Sequence, residues 1–100
     1  LTTTGGWDRQ TEEYPEDLDK EVDQAFDNVE HAVQHAGGKG WEQIYKIRIY
    51  VTVPIGEIAG PIIRNVKERC KNHGPLMTVV QVQSLYKIMR IEIEAEAHLG

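Results

Sequence analysis

From Met89 to His98 apolar and charged residues alternate without a break. Two residues per repeat put Met89, Ile91, Ile93, Ala95 and Ala97 on one face of a strand, and Arg90, Glu92, Glu94, Glu96 and His98 on the other. Gln43 to Val53 repeats the pattern and is stopped by Pro54. There Tyr45, Ile47, Ile49, Val51 and Val53 point one way, against Ile44, Lys46, Arg48, Tyr50 and Thr52. The basic face of this strand complements the acidic face of the last one, so Lys46 or Arg48 can pair across a shared sheet with Glu92 or Glu94. Leu76 to Leu85 reads as a further strand, joined to the last by Tyr86-Lys87-Ile88.

Between these strands the period changes to that of a helix. Leu18, Val22, Ala25, Phe26, Val29, Ala32, Val33 and Ala36 form one stripe. Asp17 caps it, Glu16, Asp19 and Glu21 suit the positive end of its dipole, and Gly37-Gly38 ends it. A second helix is expected over Glu57 to Asn72, with Ile58, Ile62, Ile63, Val66 and Cys70 inward and Pro61 tolerable only near its first turn. His73-Gly74-Pro75 closes it. Leu1 to Pro15 reads as the end of a strand and a loop, with Trp7 as a lid over the core edge. Strands with one apolar face and helices with one apolar side make an α+β fold, a mixed sheet with both helices on one face. The opposite face is too polar for a dry core. Packing of such faces about a common axis in a homo-oligomer would explain it.

A chain of 100 residues supports one domain, expected here to span residues 1–100. Its net charge of −5 lacks the clustered basic face that phosphate binding needs; the longest basic stretch, Arg64 to Lys71, is interrupted by Glu68. No nucleic-acid partner is expected. No apolar run reaches membrane-spanning length, so no membrane partner is expected either. The single cysteine, Cys70, cannot form an internal disulfide, fits a reducing compartment and reads as a small hydrophobe on a helix face. Cytoplasmic localisation follows, with mitochondria the alternative if an N-terminal segment is missing. His31 and His35 lie one helical turn apart but lack acidic or thiol partners at matching positions, so no metal site is expected.

Gly5-Gly6-Trp7-Asp8, Gln24-Ala25-Phe26-Asp27-Asn28-Val29, Ala36-Gly37-Gly38, Tyr50-Val51-Thr52-Val53 and Ile91-Glu92-Ile93-Glu94-Ala95 occur in this order. Each is weak alone. Together, over essentially the whole chain, they resemble the YjgF/Rid family, also called the reactive intermediate deaminase or L-PSP endoribonuclease family. The resemblance implies a chorismate-mutase-like fold assembled as a homotrimer, with small carboxylate-bearing metabolites bound in clefts between subunits. Deaminating members hydrolyse enamines and imines such as 2-aminoacrylate without a cofactor. In them an arginine of a Pro-x-Arg-Ser/Thr motif clamps the substrate carboxylate through its bidentate fork, and a glutamate of the last strand helps position water.

Residue by residue the match is partial. Pro75-Leu76-Met77-Thr78 stands at the clamp, so Met77 holds the arginine position and cannot pair with a carboxylate; the residue two further on, often cysteine, is Val79. Glu92 matches the family glutamate and is the candidate catalytic acid. Met77, Thr78, Val79, Arg48, Tyr50, Gly6 and Trp7 are the candidate ligand-binding residues. Against the family pattern, the N-terminal strands are expected to be missing except for Leu1 to Thr4, and with them the usual Ser-Gly-Gln turn, near whose place Thr4-Gly5-Gly6 stands. Three readings stay open: a trimer binding a different or more apolar metabolite, a deaminase whose clamp has moved to Lys46, Arg48 or Arg90, and a structural or partner-binding trimer without a competent cleft. RNA cleavage is disfavoured, since no histidine pair or basic track that would hold RNA is apparent. Glu92 is either half of an ion pair with Lys46 or Arg48 or a cleft acid, and Tyr50 either an intersubunit hydrogen-bonding residue or a ligand contact. Thr78 has no base beside it in sequence and reads as an interface residue rather than a nucleophile.

Overall fold

The computed structural model describes residues 2–98. Its elements are β1 (Thr2–Gly5), α1 (Leu18–His35), a 3-10 turn (Trp41–Gln43), β2 (Ile44–Val51), α2 (Ile55–Arg69), β3 (Leu76–Gln81) and β4 (Ile91–Ala97). The strands form one mixed sheet in the order β1-β4-β2-β3. Strand β4 runs antiparallel to both β1 and β2, while β3 lies parallel to β2 at the edge. Both helices pack on one face, as expected of the α+β fold. Val22, Ala25, Phe26 and Val29 of α1 and Ile58 and Ile62 of α2 close over Ile47, Ile49, Ile91 and Ile93.

The helix signals operate as their chemistry dictates. The Asp17 carboxylate accepts the Asp19 N–H at 3.0 Å, capping α1. At the other end Gly37 takes φ 97° and the Gly38 N–H bonds back to the Val33 carbonyl at 2.8 Å. The Arg48–Glu94 pairing expected across the sheet is made, at 2.7 Å.

Several expectations are corrected. A register shift between Ile44 and Lys46 adds a residue to β2, so Ile44 turns into the core and Tyr45 turns out, the reverse of strict alternation. Met89 is buried, but it lies outside the main cluster: a Cβ built on Gly5 would meet the Met89 methyl at 2.6 Å and the Trp7 ring at 3.0 Å. Ala36 caps α1 and is exposed rather than inward. Helix α2 starts at Ile55, two residues early, which moves Pro61 beyond the first turn into the helix. Ile63 is exposed, and the buried polar residue of that helix is Asn65, whose amide donates to the Pro61 carbonyl and to Asp23. Strand β3 stops at Gln81, not Leu85. Trp41, in the turn before β2, is 1% exposed, stacked on Phe26 at 4.9 Å, with its indole N–H donated to the Phe26 carbonyl at 2.9 Å.

Candidate functional site

The sheet face away from the helices is built in cross-strand rows. Register places Leu76, Lys46 and Glu96 in one row, Thr78, Arg48, Glu94 and Thr3 in the next, and Val80, Tyr50, Glu92 and Gly5 in the third. Direct neighbours in such rows have side chains about 5 Å apart, close enough to interact. In the middle row Arg48 Nη1 donates to Glu94 at 2.7 Å and reaches Glu96 at 3.4 Å. The hydrogen bond to Glu94 raises the Arg48 pKa above its ordinary value, against a smaller desolvation effect. The Tyr45 hydroxyl, turned outward by the bulge, donates to Glu96 at 3.4 Å. Arg48 and Glu94 are thus paired, whereas Lys46 in the first row makes no ion pair among the described residues.

The third row is different. Among the described residues neither the Glu92 carboxylate nor the Tyr50 hydroxyl makes a hydrogen bond. Glu92 stands opposite Tyr50, not opposite a cation, because the register gives Arg48 to Glu94. Beside it Gly5 leaves the room into which Met89 and Trp7 pack.

The loop that carries Gly6 and Trp7 is held by buried polar groups on α1. Asn28, 4% exposed, donates from its amide to the carbonyls of Gly5 and Trp7 at 2.9 and 2.8 Å and accepts from Arg9 and Gln24. Glu21, also buried, accepts the Arg90 backbone N–H at 2.8 Å and the Arg90 guanidinium at 2.6 Å. The same guanidinium donates to the carbonyls of Pro15 and Glu16, both at 3.0 Å. Arg90 is therefore a strut between β4, α1 and the loop, not a cation on the open face. Gly6 is buried so tightly that a Cβ there would overlap the Glu21 carbonyl oxygen. It offers a ligand only backbone. Helical spacing hid both Asn28 and Glu21: each flanks the apolar stripe, and only tertiary contact distinguishes it from a solvated residue.

The remaining candidates divide between faces. Thr78 shares the open face with Arg48. Met77 and Val79 register with Ile47 and Ile49 and so belong to the helix-side face, at the exposed edge of the sheet. Val79 packs against the core, while Met77 is 43% exposed. Met77 and Glu92 are thus on opposite faces and two strands apart, roughly 10 Å in the plane of the sheet. The structure does not bring them together within one copy. Away from the Arg48–Glu94 pair the described residues line further cavities, one of about 1030 Å³ beside Trp7, Tyr14 and Tyr86. His31 and His35 stack on α1 with centroids 6.3 Å apart, and among the described residues no group of three or more His, Cys, Asp and Glu could hold a metal ion. Among the same residues no helix is long and apolar enough to cross a membrane.

The family model described as endoribonuclease L-PSP matches residues 1–99. No curated protein matches. Among solved structures, the YjgF gene product of E. coli superposes with a TM-score of 0.84 at 26% identity, over 96% of this chain and 76% of the other. E. coli TdcF with bound serine gives the same values. RidA of the Antarctic bacterium Psychrobacter sp. PAMC 21119 has a TM-score of 0.84 at 24% identity, over 95% and 75% of the two chains, and on its own shows the likeness of fold.

Proposed function

Since the chain belongs to the endoribonuclease L-PSP family, we propose that it forms a homotrimer that binds a small metabolite in clefts between subunits and lacks the usual 2-aminoacrylate deaminase activity. The observation that carries this reading is the division between Glu92 and Met77. A glutamate with no hydrogen-bond partner among the described residues stands on the open face, while the position at which the family resemblance expects a carboxylate clamp is a methionine on the other face. A ligand touching both positions touches two copies of the chain, which favours an intersubunit cleft. The related TdcF holds serine, and a ligand of that size, held through its amine or hydroxyl rather than a carboxylate, suits a cleft bounded by Glu92, Tyr50 and Thr78. Met77 and Val79 would make its second wall apolar and adaptable. Glu92 is the candidate acid; Gly6 and Trp7 border it through backbone and ring.

Losing a bidentate clamp removes a charge-assisted pair that contributes about 1.5–3 kcal/mol, enough to silence turnover of a substrate held by its carboxylate. The test is release of ammonia from freshly generated 2-aminoacrylate by the natural chain and by Met77→Arg. The expected result is silence in the first and activity in the second. A second reading, a deaminase with a relocated clamp, is favoured by Lys46, whose ammonium is unpaired among the described residues. It requires activity in the natural chain that Lys46→Ala abolishes. Silence in both proteins, from a trimer, would leave a partner-binding role without deamination. A monomer at micromolar concentration would overturn the cleft altogether.

A further inference from the structure

The loop after β1 and the connection from β3 to β4 enclose the cavity of about 1030 Å³, which shares Trp7 with the open-face site but none of its other residues. Three aromatic rings wall it. Trp7 and Tyr14 meet edge to face, with centroids 6.5 Å apart and planes at 78°, and Tyr86 stands opposite, 70% exposed. Burial, with Glu21 and Tyr86 nearby, pushes the Tyr14 phenol above its ordinary pKa, so it is a neutral ring at physiological pH. Glu12, Glu13 and Glu16 stand at the rim, against a single lining cation, Lys87.

This combination selects among ligand classes. An anion meets a negative rim and the negative faces of the rings. A bare metal ion needs converging oxygens and gains little from three aromatic walls. A neutral apolar molecule uses the rings and leaves the carboxylates idle. An organic ammonium ion uses both, its charge facing ring quadrupoles and carboxylates while its alkyl groups cover the aromatic surface. The chain already demonstrates the interaction: the Lys87 ammonium lies over the Tyr86 ring, 5.3 Å from its centroid. Lys87 also has a left-handed backbone, φ 53°, as does Glu12 across the cavity, φ 63°. These are the two non-glycine residues with positive φ among the described residues.

We propose that this cavity is a binding site for a small organic ammonium ion, which displaces the Lys87 side chain from the Tyr86 ring. The site stands independently of the reading of Glu92.

The experiment is a titration of the full chain with choline and with its neutral isostere 3,3-dimethyl-1-butanol at constant ionic strength, followed through the two indole N–H resonances. Trp7 lines the cavity, whereas the Trp41 indole is buried and bonded to Phe26, which makes it an internal control. Choline shifts the Trp7 resonance saturably and leaves Trp41 still; the alcohol binds about tenfold more weakly. Tyr86→Ala weakens choline binding about fivefold. Lys87→Met strengthens it about threefold, by removing a competing like charge. Both substitutions are on exposed side chains and leave the core untouched. Equal binding of choline and the alcohol, the absence of a saturable Trp7 shift, or weaker choline binding in Lys87→Met overturns the proposal.

Discussion

Replacing Arg90 with methionine tests the strut that positions the Trp7 loop. The perturbation is asymmetric, because the Glu21 side chain is 1% exposed and that of Arg90 30%. Removing the guanidinium strands a carboxylate in the interior with only the Arg90 backbone N–H, at 2.8 Å, as donor. Breaking a buried pair from one side costs about 3–5 kcal/mol, and the surviving hydrogen bond favours the lower end of that range. For a chain of this size, with a urea slope of about 1.3 kcal/mol/M, the unfolding midpoint falls by about 2–4 M.

The double variant Glu21→Leu with Arg90→Met removes the stranded charge. It is expected to be more stable than Arg90→Met alone, and about 1–2 kcal/mol below the natural chain, because the Arg90 N–H then lacks its acceptor. The carbonyls of Pro15 and Glu16 lose a donor as well, but they lie close enough to the surface for water to replace it. The assay is urea unfolding followed by circular dichroism at one fixed protomer concentration, since any association shifts the apparent midpoint. A single variant that loses less than about 1 kcal/mol, or a double variant less stable than the single, would refute the strut.

Gly6→Ala should destabilise by about 3 kcal/mol, the upper part of the range for overpacking, because the obstacle is the Glu21 backbone rather than a side chain that can rotate; thermal unfolding checks it. Asp23 joins α1 to α2 through Asn65 at 2.8 Å and Arg64 at 2.6 Å. Burial works against its carboxylate, yet these hydrogen bonds outweigh it and hold the pKa below the ordinary value. The stability from Asp23 is therefore present above the unfolded pKa and lost as pH falls through the lower folded one, so Asp23→Asn should flatten the acid limb of a stability profile. The amplitude is at most about 1 kcal/mol at this half-exposed site. Burial likewise pushes the Cys70 thiol up, against a smaller effect of Arg69. Alkylation by iodoacetamide should be slow at neutral pH in the folded chain and fast in urea; equal rates would contradict the burial of Cys70.

The parts of the fold that could be read in advance are those set by period alone. Ile47, Ile49, Ile91 and Ile93 face the helices because alternation leaves them no other choice, and Asp17 and Gly37 mark the limits of α1 through local chemistry. Where a single extra residue enters, the pattern misleads. The bulge before Lys46 exchanges Ile44 with Tyr45, and it has no signal beyond the tryptophan turn that precedes it. Met89 continues the apolar alternation of β4 but lies before the strand begins, so nothing obliges it to keep that face. Glu21 and Asn28 could not be recognised at all, since their burial depends on loops brought in from Arg90 and from Gly5 to Trp7.

The candidate site shows the same dependence most sharply in Glu92 and Glu94. They share a strand, a face and a chemistry, and differ by one pleat. Cross-strand register decides which is structural: Arg48 falls opposite Glu94 and forms the 2.7 Å pair, while Glu92 falls opposite Tyr50. Shifting β2 by two residues against β4 would set Arg48 opposite Glu92 and Lys46 opposite Glu94, giving Glu92 a cation without changing any side chain. Because a two-residue shift preserves every inward-facing apolar position, hydrophobic patterning cannot forbid it. What resists it is local: the bulge at Ile44 and Lys46, and the Arg90–Glu21 strut that anchors the start of β4. The availability of Glu92 for a ligand therefore depends on two features remote from it in sequence. A strut variant that remains folded should perturb the pairing of Arg48 as well as the stability of the chain.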